Sequence, residues 1–293
     1  MKLKLSCAHI SVSKMLKNGG MNTEQFLNFC GELGVEGADL LNFPYLYANK
    51  TAELKQVRKW AKAANIALPC YGVGNNFAVA DEVKFKAAVD DVVCGLQEAA
   101  ELEIPYLRVF GGYHSDPACG GEKGMGYASG FEKVLKGLEC VLPHAEKTGV
   151  TLALENHGRL PAHAWELKHI ARHFNSKYLR VLLDLGNLFG NSQNERSTDA
   201  PAAISDLFEY IACIHIKDMR PAIVLPNRQI EPCITGTGIV PIRQCMARLA
   251  ELGYKGYLAL EYEASFLKPE REGITECFAY LKDVRDAIHL LVK

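Results

Sequence analysis

Three features of this 293-residue sequence predict an α/β chain folded as a single-domain (β/α)8 barrel, the TIM-barrel architecture, over residues 1–293. Short apolar, β-rich runs recur eight times, with amphipathic stretches of helical spacing between them. Run starts lie about 30 residues apart in most units and about 40 to 46 apart in three, so eight strand–helix units fill the chain without a spare segment. No glycine-rich phosphate turn of the GxGxxG kind follows the first run, as a doubly wound open sheet would favour.

Taken in order, the strand candidates are "KLKLSCAHI" near residue 3, "VEGADLL" at 35, "IALPCYGV" at 66 and "PYLRVFGG" at 105. The second half adds "VTLALEN" at 150, "YLRVLLDLG" at 178, "IACIHIKD" at 211 and "GYLALEYE" at 256. Between them run helical patterns such as "TEQFLNFCGELG", "ELKQVRKWAKAAN", "DEVKFKAAVDDVVCGLQEAAELE" and "FEKVLKGLECVLPHAEKTG". Each unit tends to stop at Gly or Asn before the next strand, at Gly34, Asn65, Gly149 and Gly253, where a helix end needs a left-handed residue. The glycine-rich "GGEKGMGYASG" at 120–130 follows the fourth strand through a long polar insert and reads as a mobile lid rather than a phosphate loop.

Composition narrows the function classes. With 48% hydrophobic and 23% charged residues the chain has ample material for a core. A formal charge of -1 provides no global field for nucleic acid. The absence of a signal-like N-terminus and of any apolar run near the ~20 residues of a bilayer span predicts a cytoplasmic protein with no membrane partner. Ten cysteines with no CxxC pair read as free thiols.

Chemistry is concentrated at the ends of four late strands. The C-terminal mouth of a parallel barrel is where strand-end side chains meet. The fifth strand ends at Glu155, the sixth at Asp184, the seventh at His215 and the eighth at Glu261. Period-2 alternation puts Glu155 on the face of Ala153, His215 on that of Cys213 and Glu261 on that of Ala259, small neighbours that suit a crowded interior. Three carboxylates and an imidazole in one confined mouth need a neutralising cation. Oxygen and nitrogen donors without thiolate predict one divalent ion such as Mn2+, Mg2+, Co2+ or Zn2+, with Mn2+ taken as the expected occupant though the donors alone do not choose it.

At these residues the sequence resembles the sugar phosphate isomerase/epimerase family of xylose isomerase-like TIM barrels. The matching pieces are "LENHG", "LLDLGN", "IHIKD", "GTGIVPI" and "LALEYE" in the family's order and spacing, with "VGNNF" after the third strand. The resemblance covers essentially the whole chain. It implies that Glu155, Asp184, His215 and Glu261 hold one metal, with Glu155 and Glu261 also acting as acid/base groups. It further implies a carbohydrate substrate, and dimers or tetramers are common in the family. Asn187 departs from the pattern, standing where several epimerases have a histidine.

The expected activity is that of a metal-dependent isomerase or epimerase, which abstracts a proton next to a carbonyl and passes through an enediolate. His157, Asn187, Lys217, Asn76 and Arg108 are the candidate substrate contacts, with a buried ion pair as the competing role for Arg108. His169 and His173, four apart on an outer helix, lack the HExxH glutamate and read as a solvated face. The runner-up is a metal-dependent dehydratase of a keto-inositol or related polyol. Further rivals are an apurinic-site endonuclease and a non-catalytic sugar-binding barrel.

Overall fold

Runs of Val, Ile, Leu and Ala covered on both faces form the strands, and the computed structural model describes residues 2–113, 125–189, 199–225 and 228–291. The strands are β1 (Lys4–Ala8), β2 (Gly37–Leu41), β3 (Cys70–Gly72), β4 (Tyr106–Gly112), β5 (Thr151–Gly158), β6 (Leu179–Asp184), β7 (Ile211–Ile216), β8 (Asp218–Pro221), β9 (Ile230–Cys233) and β10 (Tyr257–Leu260). Eight of them pair in parallel in the order β1-β10-β7-β6-β5-β4-β3-β2 and close into a barrel, while β8 and β9 form a separate two-stranded sheet. The outer ring is α1 (Ser13–Lys17), α2 (Thr23–Glu32), α3 (Lys50–Ala63), α4 (Glu82–Glu101), α5 (Tyr127–Thr148), α6 (Ala164–Phe174), α7 (Ala200–Leu207), α8 (Ile242–Glu251) and α9 (Glu270–Leu291).

Local chemistry sets the helix ends. Asn22 and Gln25 make a capping box on α2, and the side chains of Asn49, Asp81 and Asp199 accept backbone N–H bonds at the starts of α3, α4 and α7. The four anticipated stops, Gly34, Asn65, Gly149 and Gly253, all have positive φ, at 61°, 56°, 75° and 76°. Glycine takes that region without steric cost and asparagine at little, so the chain turns into the next strand there.

Three details differ from the sequence reading. β3 is only three residues long, because Pro69 within the apolar run has no N–H to donate to the ladder. Part of the long spacing before the last barrel strand is an inserted β8–β9 hairpin, so the chain does carry a spare segment. In the glycine-rich stretch, residues 120–124 lie outside the described residues. Gly126 is the residue preceding α5, and Gly130 is buried within that helix.

The hairpin and the loop after it are gathered by one carboxylate. Asp218 Oδ1 accepts from the N–H of Met219 (2.9 Å) and Val240 (3.2 Å), and Oδ2 from Gly236 (2.8 Å) and Gly238 (2.9 Å). A Cβ on Gly238 would stand 2.2 Å from Asp218 Oδ1, which explains the glycine in the "GTGIV" segment. Deeper in the barrel, Cys70, Ala153, Leu182 and Cys213 form a small inner cluster. The nine described cysteines are free, and among the described residues no helix is long and apolar enough to cross a membrane.

Asp218→Ala leaves those N–H groups without their charged acceptor and should lower stability by about 2 to 3 kcal/mol. Urea unfolding midpoints check this, and an unchanged midpoint would remove the clamp role.

Candidate metal centre

At the C-terminal mouth, Glu155 lies in the buried part of β5, Asp184 closes β6, His215 is the penultimate residue of β7, and Glu261 follows β10. All four are buried, and each offers one ligand atom within 4.8 Å of the others. The parallel ladder places them: Asp184 pairs with His215 across β6 and β7, and His215 with Ala259 across β7 and β10. The four predicted strand-end residues are thus brought together.

The remaining candidates line the same mouth in different ways. Arg108 is buried, with one guanidinium nitrogen 3.3 Å from Glu155 Oε2 and another donating to the Val73 carbonyl at 3.1 Å. The buried ion pair, one of its two anticipated roles, is thus formed. Gly72 makes room for it, since a Cβ there would lie 2.8 Å from Arg108 Nε. Lys217 is buried too, its Nζ 3.1 Å from Asp184 Oδ2, 2.9 Å from Glu261 Oε2 and 3.4 Å from the half-exposed Glu263. Gly186 admits it, because a Cβ there would be 2.8 Å from Lys217 Cβ.

Asn187 donates from Nδ2 to Glu155 Oε1 at 3.1 Å, while its own N–H is capped by Asp184 Oδ1 at 3.0 Å. His157 sits at the rim with Nδ1 3.4 Å from Glu155 Oε1 and its ring stacked on Phe110 at 4.2 Å. Asn76 is further committed: its Oδ1 accepts from the N–H of Ala78 (3.0 Å) and Tyr113 (3.2 Å). That carbonyl has no lone pair to spare for a substrate. Asn156, on the opposite alternation from Glu155, exchanges two hydrogen bonds with the Asp184 backbone and so anchors the end of β6. His169 and His173 are exposed on α6.

The electrostatics describe a site short of positive charge. Burial drives Asp184 up to about 6; Lys217 opposes the rise, and Glu261 and Glu155 reinforce it. Burial also penalises the ionised form of Glu155, but contact with His157 and Arg108 outweighs it and holds the carboxyl down at about 2. Glu261 is kept well below the usual carboxylate range because Lys217 and His215 overcome its burial. Against burial, Glu261 and Asp39 hold His215 well above the usual imidazole range.

The donor set fits a divalent cation. Asp184 Oδ2 and both ring nitrogens of His215 are buried with charged neighbours 3.1 to 3.5 Å away but with no aligned hydrogen bond, which leaves coordinating capacity on the carboxylate and on one ring nitrogen. Among the buried groups of the contact network, Asp39, Glu155, Asp184 and Glu261 bring four negative charges, and Arg108 and Lys217 bring two positive ones. A divalent ion held by Glu155, Asp184, His215 and Glu261 closes that imbalance with His215 neutral. The opposite, N-terminal end of the barrel holds a cavity of about 520 Å³ that includes Asp39, Tyr106, Tyr254 and Tyr257, but no comparable set of donors.

The family model of the xylose isomerase-like TIM barrel matches residues 27–284. The chain belongs to that family. No curated protein matches it by sequence. Among solved structures, an L-ribulose 3-epimerase superposes with a TM-score of 0.75 at 15% identity, covering 98% of this chain and 96% of that one. The 3-keto-D-glucoside 4-epimerase of E. coli gives 0.73 at 14% identity, covering 96% and 100%. A D-psicose 3-epimerase crystallised in the presence of D-fructose gives 0.70 at 16%, covering 97% and 99%. These likenesses establish the fold.

Within this xylose isomerase-like barrel the sequence reading missed Asp39, which stands 3.5 Å from His215 Nε2, and Phe110, which backs His157. The signal for Asp39 was present: like Glu155 after Ala153, it follows a small residue, Gly37, by two positions on a strand. Asp39 lies in the middle of β2 rather than at a strand end, so a pattern of polar strand ends does not single it out.

Because Asp184 titrates at about 6 in the metal-free protein, protons compete with a cation for it below that pH. Affinity for Mn2+ measured by calorimetry should therefore fall by roughly fivefold between pH 6 and pH 5 through this group. Equal affinities at the two pH values would contradict the assignment of Asp184 as a ligand.

Proposed function

We propose that this protein is a divalent-metal-dependent sugar isomerase or epimerase that works by proton transfer at a carbon beside a carbonyl. The observation that carries the reading is the pair of buried carboxylates flanking the mouth. Glu155 and Glu261 belong to strands separated by β6 and β7, so they approach the mouth from different sides. Each is held ionised by its neighbours, Glu155 by His157 and the buried Arg108, Glu261 by the buried Lys217 and His215. An ionised carboxylate is the form that accepts a proton, and two of them on different sides allow removal from one face and return to the other. The sugar epimerases among the structural neighbours support the same substrate class.

In this reading Glu155, Asp184, His215 and Glu261 hold the cation, Mn2+ being the expected one, which when bound supplies electrophilic stabilisation of negative charge on substrate oxygen. Glu155 and Glu261 move the proton. Asn187 and His157 flank Glu155 Oε1 and fix the orientation of its carboxylate. Lys217, buried between Asp184 and Glu261, presents a fixed ammonium to a substrate oxyanion. The stacked Phe110–His157 pair, with the Tyr113 ring edge-on at 5.7 Å, provides an apolar wall for the carbon face of a sugar.

Incubated with Mn2+ and a panel of ketoses, aldoses and keto-inositols in deuterated water, the protein should exchange a carbon-bound hydrogen of at least one substrate and yield its epimer or isomer. Binding without exchange would point to a sugar-binding barrel, and loss of water to a dehydratase. Glu155→Gln should lower kcat by about 10²- to 10⁴-fold, the range supplied by a positioned acid/base group. Undiminished turnover in that variant would end the assignment.

A further inference from the structure

His215 lies between two carboxylates that play different parts. On one side of the ring, Nδ1 is 3.1 Å from Glu261 Oε1, and Glu261 belongs to the converging ligand cluster. On the other side, Nε2 is 3.5 Å from Asp39 Oδ2, and Asp39 stands outside that cluster. Asp39 comes from β2, where alternation puts it on the face of Gly37, packed against β1: a Cβ on Gly37 would meet Ser6 Cβ at 3.0 Å. Asp39 is buried, and its second oxygen, Oδ1, accepts a 3.0 Å hydrogen bond from the hydroxyl of Ser6, which is itself fully buried. Three barrel strands, β1, β2 and β7, thus contribute a row running Ser6, Asp39, His215 toward the cluster.

A neutral imidazole carries one N–H, and the nitrogen that binds a metal must be the bare one. With Nδ1–H and a bare Nε2, a lone pair would face the Asp39 carboxylate in a dry interior, lone pair against negative charge. With Nε2–H, the ring donates to Asp39 and turns a bare Nδ1 toward Glu261 and the cluster. Ionised aspartate is an acceptor only, so it selects the second arrangement.

We propose that Asp39 is a positioning residue, steadied by Ser6, that fixes His215 as the Nε2–H tautomer and thereby presents Nδ1 as the metal ligand. The proposal rests on the metal-centre reading above. Its contribution is to metal affinity, because ligand basicity and ring orientation are set by the partner on the far nitrogen. Asp39 touches neither the cation nor the substrate.

The test uses metal-free wild type, Asp39→Asn, Asp39→Ala and Ser6→Ala, titrated with Mn2+ by calorimetry, with thermal unfolding by circular dichroism as the check on folding. Wild type should bind one ion per chain. Both Asp39 variants should bind about 10- to 100-fold more weakly, the usual effect of removing such a partner. Asn presents an N–H donor that favours the wrong tautomer, and Ser6→Ala, which keeps the carboxylate, should lose only a few-fold. As a second readout, 15N NMR of histidine-labelled wild type loaded with Zn2+ should show His215 protonated at Nε2 and metal-shifted at Nδ1. Asp39→Ala binding within twofold of a well-binding wild type, or a His215 protonated at Nδ1, overturns the proposal while leaving the metal centre standing. A wild type that binds no metal overturns both, and the wild-type NMR result decides the matter even if the Asp39 variants fail to fold.

Discussion

Mutual repulsion among carboxylates in a dry barrel mouth is the constraint to which the rest of the site responds. Glu155, Asp184 and Glu261 are all buried within one ligand-sized space. Water screens such charges poorly there, so each carboxylate needs a nearby positive group or must take up a proton. The chain uses both devices. Arg108 and Lys217 are drawn inside, where isolated cations would be costly, and Asp184 is driven up toward neutrality. Even with Lys217 at 3.1 Å, Asp184 Oδ2 has no aligned hydrogen bond, and neither ring nitrogen of His215 has one.

The scaffold is adapted to hold that charge. Closing eight strands leaves no free edge, and the parallel ladder sends every strand end to one face, so residues far apart in the chain meet without long loops. Glycines at 72 and 186 clear volume for the two long cationic side chains. The Asn156 amide ties β5 to the end of β6, and the Asp218 carboxylate gathers the loop after the β8–β9 hairpin. These polar groups are spent on backbone rather than on substrate. They keep the ligand-bearing strand ends in place, as a site with strongly opposed charges requires.

Much of this was legible because both periodicities involved are short-range. Apolar runs of β-branched residues alternate with 3.6-residue patterns, and the stops at Gly34, Asn65, Gly149 and Gly253 follow from the conformational freedom of Gly and Asn, which depends on no distant contact. The four strand-end residues were readable for the same reason: once the strands are parallel and closed, their ends share a face. The truncation of β3 was also readable in principle, since Pro69 cannot donate. The β8–β9 hairpin is not legible, because its "DMRP" and "IEPC" strands are short, each contains a proline, and neither shows clean alternation.

The sequence by itself determined the architecture, the family and the chemical types that would meet at the mouth, because alternation and strand order follow from local backbone geometry. Only the tertiary structure decided how those groups divide the work. Arg108 became the partner of Glu155, Lys217 was folded in between Asp184 and Glu261, and the Asn76 side-chain carbonyl was turned to backbone N–H groups. Asp39 was brought from β2 to the far side of the His215 ring. Such pairings depend on barrel stagger and side-chain reach across strands distant in sequence, and no local pattern encodes those distances.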